Sequence, residues 1–177
     1  MNTEQQKIEY KSLQKIRTGE KGFKELSTTC VALANAQGGQ IMIGVEDKTK
    51  KPAPNQVISQ EEANSAVTRL RGLCFNVGLA VGDICADETG SQYFAITVFP
   101  SLHSYATTSD GKMYIRVADK CEPVRSEDIQ RVGEEKGAFQ WELVPTQFEL
   151  EDENKTNLSK FANDIRQSDR VKQHIKQ

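Results

Sequence analysis

The chain has 177 residues, of which 37% are hydrophobic and 27% charged, and its formal net charge is −2 at pH 7. That length suits one domain with a sizeable core plus an appendage, and the near-neutral balance argues against a globally basic nucleic-acid binder. Four cysteines without a C-x-x-C pair argue against a zinc knuckle or a disulfide framework. No apolar run reaches membrane-spanning length and the N-terminus is polar, so the expected location is the cytoplasm.

The charge is unevenly spread. Residues 1–51 carry nine Lys/Arg against six Asp/Glu, whereas residues 119–177 carry ten against thirteen. A nucleic-acid face should therefore draw on the N-terminal third.

In chain order, Lys7 to Leu13 alternates. Ile8 and Tyr10 face one way and Lys7, Glu9 and Lys11 the other, which predicts a half-buried strand. Residues 15–20 read as a polar loop. Phe23, Leu26, Cys30, Leu33 and Ala34 recur at helical spacing and predict a helix over 21–37. Gly38-Gly39 closes it, with Gly38 expected at a positive φ that a Cβ would strain. Ile41-Met42-Ile43-Gly44-Val45 is short and apolar, the pattern of a strand covered on both faces. Glu46 and Asp47 end it, either as a polar terminus or as part of a site.

Residues 48–55 form a basic loop with two prolines. Ser59 and Glu62 make a capping box that opens a helix to about Arg71. Val77 to Ala86 and Tyr93 to Phe99 read as partner strands around the turn at residues 88–91. Ser109-Asp110-Gly111 is a turn, Met113 to Val117 a further strand, and Ser126-Glu127-Asp128 the start of a short helix. After Gly137 the composition changes. Phe139, Trp141, Leu143, Val144 and Phe148 are apolar enough to pack back on the domain. Residues 156–176 then read as a polar helix with Leu158, Phe161 and Ile165 as its stripe. The expected division is residues 1–137 and a C-terminal extension, 138–177, ending in a linker helix.

Three pieces stand in a telling order: Ile8-Glu9-Tyr10-Lys11, then Ala34-Asn35-Ala36-Gln37-Gly38-Gly39 with Ile43-Gly44-Val45-Glu46-Asp47, then Gly111-Lys112-Met113-Tyr114-Ile115-Arg116-Val117. Together they resemble the Schlafen-type AlbA_2 domain, also called the divergent AAA-4 domain, over about residues 4 to 132. The resemblance implies an α/β (α+β) fold, with a mixed sheet of about five or six strands and two or three helices. It implies a DNA- or RNA-binding module of a bacterial regulatory or defence protein, such as a transcriptional regulator, with a further domain after residue 177. Eukaryotic relatives carry two such modules facing each other, so a homodimer is expected here. A further alternative is an ATP-binding or protein-interaction module; the family's ATP-binding label finds little support, because Gly38-Gly39 precedes a strand and lacks the G-x-x-x-x-G-K-[ST] pattern.

Some relatives cut RNA with two glutamates five apart and an aspartate after the "GV-x-D" strand. Glu4, Glu9 and Asp47 match that pattern. Such carboxylates would hold Mg²⁺ or Mn²⁺, which activates water and stabilises charge on the phosphate. Lys11, on the same strand face as Glu9, would bind the phosphate. The bland alternative is a loose terminal Glu4 and a solvated Glu9. Arg116 is either a phosphate clamp or an internal salt bridge. Lys48, Lys50 and Lys51 are either a solvated loop or contacts to the nucleic-acid backbone.

Overall fold

The computed structural model describes residues 7–102, 104–135 and 152–167. Residue contacts divide the chain into two units, residues 1–140 and 141–177. In the first unit, a four-stranded mixed sheet runs in the order β1 (Ile8–Lys11), β2 (Gly39–Ile43), β5 (Gln92–Phe99), β4 (Gly78–Ala86). β1 and β2 are parallel; the other neighbours are antiparallel. The parallel pair needs a crossover, which α1 (Gln14–Arg17) and α2 (Glu20–Asn35) supply.

The core lies between the helices and one face of the sheet. Alternation along each strand sends Ile41 and Ile43, Phe94, Ile96 and Val98, and Leu79 to that side, where all are buried. They meet Phe23, Leu26, Cys30 and Leu33 of α2, and Ala63, Ala66, Val67 and Leu70 of α3 (Gln60–Leu73). The Ser59 hydroxyl accepts from the Glu62 amide at 3.1 Å, so the capping residue starts α3 as its sequence predicts. α2 ends at Asn35, two residues short of the predicted end, and Gly38 closes it as expected: its amide donates to the Leu33 carbonyl at 2.8 Å and its φ is +73°.

The sheet is smaller than the five or six strands expected. Two short pairs stand apart from it: β3 (Cys74–Phe75) with β6 (Thr107–Thr108), and β7 (Tyr114–Val117) with β8 (Lys120–Pro123). β7 packs on α2 instead of extending the sheet. Alternation predicts that a segment is a strand, but not which partner it takes. A 3₁₀ turn (Ser126–Asp128) and α4 (Ile129–Glu135) complete the described part of this unit, so its helices exceed the two or three expected.

Two local expectations are corrected. Part of the predicted polar loop is the single turn α1, too short to show a period. It is held by Ile16 against the core and by Arg17, which donates to both oxygens of Glu62 at 2.7 and 3.0 Å. β2 is covered on one face only: Ile41 and Ile43 are buried, Gln40 is exposed and Met42 is half-buried. An unbroken apolar run does not distinguish these cases.

In the second unit the described element is α5 (Asp152–Gln167), along which Leu158, Phe161 and Ile165 are exposed. The expected packing of Phe139, Trp141, Leu143, Val144 and Phe148 falls outside the described residues.

Candidate functional site

β1 is the strand on which the predicted site residues meet, and its pleat separates them. Glu9 and Lys11 point to the helix side, level with Ile41 and Ile43; Tyr10 points to the opposite face, level with Met42 and Ala95.

On the helix side, Glu9 joins two cations. Its Oε1 accepts from Lys11 Nζ at 2.6 Å and its Oε2 from Arg116 Nη2 at 2.6 Å. The Arg116 side chain is only 4% exposed. Burial works against its charge. Hydrogen bonds to the Cys121 sulfur (3.4 Å) and to Glu9 outweigh that, holding the guanidinium above its ordinary pKa. Its Nε, also buried, has no hydrogen-bond partner among the described residues. Of the two readings of Arg116, the geometry is that of the internal salt bridge. A phosphate clamp would require that bridge to open.

On the opposite face, the loop after β2 folds back through the Val45–Pro52 bridge. Lys50 Nζ lies 4.1 Å from the centroid of the Tyr10 ring and donates to Asp47 Oδ1 at 2.6 Å. That hydrogen bond holds the Asp47 carboxyl below the usual carboxylate range, although the side chain is largely exposed. Lys48 and Lys51 are exposed beside it.

The three-carboxylate cluster is therefore represented by two members. Glu4 lies outside the described residues. Glu9 and Asp47 each have a cation on the carboxylate, Lys11 and Arg116 on the first and Lys50 on the second. Among the described residues no group of three His, Cys, Asp or Glu side chains is placed to hold a metal ion.

Three residues with structural roles were not singled out by their chemistry. Asn35 ends α2, buried. Its amide nitrogen donates to the carbonyls of Ala106 (2.8 Å) and Tyr114 (2.9 Å), and its oxygen accepts from the Ala106 amide at 2.9 Å. It thereby fixes the strand that carries Arg116. Gln56 donates to the carbonyls of Gly44 (2.9 Å) and Gln92 (2.6 Å), pinning the loop that carries Asp47. A Cβ on Gly44, whose φ is +92°, would stand 2.5 Å from that Gln56 nitrogen. The available signal was the motif itself: Asn35 and Gly44 lie inside it.

The chain resembles a solved structure, that of the DIP2311 protein from Corynebacterium diphtheriae, at 21% identity and a TM-score of 0.50. The similarity covers 70% of this chain and 26% of that one, so this chain spans about a quarter of that protein's length and shares its fold over that stretch. No curated protein matches the chain. Among the described residues no helix is long and apolar enough to cross a membrane. The family model for Schlafen, AlbA_2 matches residues 4–125, well over half of the sequence, and the chain belongs to that family.

Proposed function

We propose that this chain is a nucleic-acid-binding module. The family is generally associated with nucleic-acid interaction. The observation that carries the reading is the placement of Lys48, Lys50 and Lys51. All three are exposed on one short loop, which the Val45–Pro52 bridge and Gln56 hold at the end of the sheet. Backbone phosphates are met by such ammonium groups on fixed loops; Lys48 and Lys51 offer theirs directly, and Lys50 would first leave Asp47 and the Tyr10 ring. Arg116 serves the reading indirectly, because its ion pair with Glu9 orders β1 beneath that loop. A symmetric homodimer would present the loop twice, as tandem relatives present two modules.

The test is oligonucleotide binding as a function of salt. Replacing Lys48, Lys50 and Lys51 together by alanine should weaken affinity and lower the slope of log K against log salt by up to about three. An unchanged slope moves the contact surface elsewhere. The cleavage alternative, through Glu4, Glu9 and Asp47 with Mg²⁺ or Mn²⁺, requires Lys11 and Arg116 to release Glu9. Structured RNA left intact after long incubation with Mn²⁺ would count decisively against it.

A further inference from the structure

On the sheet face turned away from the helices, half-buried side chains floor a cavity. The cavity holds about 520 Å³ and is floored by Tyr10, Met42 and Tyr93. These three adjoin on that face: Tyr10 is opposite Met42, Met42 is opposite Ala95, and Tyr93 is two positions along from Ala95. One wall is the loop carrying Lys50 and Lys51; the other is the β4–β5 turn carrying Asp87 and Glu88.

The groups at this cavity differ in whether they are already engaged. Lys50 is committed to Asp47 and to the ring of Tyr10. Asp87 closes its own turn, accepting from the Thr89 and Ser91 amides, both at 2.9 Å. Among the described residues the Glu88 carboxylate and the Tyr93 hydroxyl make no hydrogen bond or ion pair, and the Lys51 ammonium makes no hydrogen bond, though its charge helps hold the Asp87 carboxyl down from across the cavity. The cavity thus offers an aromatic floor, a cation on one side and an anionic acceptor on the other. Its size lies within the roughly 300–1,000 Å³ of small-molecule pockets.

We infer that this cavity takes one unpaired base, with its phosphate, from a single-stranded nucleic acid. The base stacks on Tyr93, its exocyclic amino group donates to Glu88, and the phosphate meets Lys51. Charge complementarity favours this occupant. A wholly anionic ligand would leave Glu88 opposed, and a purely apolar one would leave both walls without a partner. Adenine and cytosine carry exocyclic amino donors that uracil lacks, so the site should prefer them. A duplex keeps its bases stacked and cannot supply one to the cavity. The inference rests on the nucleic-acid reading and is separable from it.

The test measures binding of the full chain to fluorescein-labelled octa-adenylate, octa-uridylate and a duplex of the same length. Octa-adenylate should bind more tightly than octa-uridylate. Tyr93→Leu, which keeps apolar bulk and removes the ring, should weaken octa-adenylate binding about tenfold and leave duplex binding unchanged. Glu88→Gln, an exposed site with no fold to disturb, should shrink the adenylate preference. If single strands bind but Tyr93→Leu binds them equally well, or if only the duplex binds, the cavity assignment falls and nucleic-acid binding stands. If no oligonucleotide binds, both fall.

Discussion

Glu9 is placed where removing its charge leaves a buried cation behind. Arg116 is 4% exposed and Glu9 accepts its hydrogen bond at 2.6 Å. Glu9→Gln should therefore lower stability by about 3 kcal/mol in urea unfolding, because an uncompensated buried guanidinium is costly. The double variant Glu9→Leu with Arg116→Met should recover most of that loss, since apolar residues can replace a buried pair. A double variant no better than the single one would place the cost elsewhere. Any Glu9 variant that loses activity must accordingly be checked for folding first. Asp47 differs: it is largely exposed, and Asp47→Asn should change stability by less than about 0.5 kcal/mol. A pH-dependent feature sits at Asp110. Hydrogen bonds from Lys112 and then Thr108 lower its carboxyl to about 2 from an ordinary 3.8. A depressed carboxylate stabilises the folded chain above its unfolded value. That contribution is complete above 3.8 and disappears as pH falls through about 2. Carboxyl NMR titration should give Asp110 a midpoint near 2, whereas a midpoint near 3.8 would mean that the turn at residues 109–111 is open.

At the scale of elements, the junction between α2 and β2 combines a close approach with a left-handed backbone. A Cβ on Gly38 would lie 2.6 Å from the Val98 carbonyl oxygen and 2.9 Å from Pro100 Cδ, at φ +73°. Gly38→Val should therefore cost about 3 kcal/mol or more, combining backbone strain with the clash against β5. Thermal unfolding would check it; a variant melting like the parent would contradict the placement of the helix end. This junction was legible in the sequence because a helical period stops and two glycines follow. The α3 start was legible for a similar reason, since Ser59 and Glu62 act within one turn. β7 was legible as a strand and not as a separate layer, because its partner β8 and its seat on α2 depend on contacts distant in sequence. At the candidate site, the sequence showed Glu9, Lys11 and Arg116 as charged residues on strands. The spacing put Lys11 on the face of Glu9; that Arg116 also reaches Glu9 follows from the fold of β7 over α2, which no spacing encodes. The cavity on the other sheet face was hidden for the opposite reason: the apolar run holding Met42 reads as a strand covered on both faces.

For the whole molecule, the division into two units bears on assembly. A single AlbA_2 module, read against tandem relatives, should pair with a second copy. Light scattering at high micromolar concentration should then give twice the 19.8 kDa chain mass. A monomer mass would remove that expectation while leaving the oligonucleotide tests untouched. The order in which the sheet assembles follows from its connections. β4 and β5 are joined by a turn that Asp87 closes, so they meet early and at little entropic cost. β1 lies at the sheet's edge, parallel to β2, and its Glu9 reaches Arg116 across 107 residues of chain. Such a contact forms late and opens first. Hydrogen exchange should therefore show β1 amides losing protection before those of β4 and β5, with Glu9→Gln widening the gap. The strand β1 would then act as a latch, closed by a guanidinium from a strand distant in sequence.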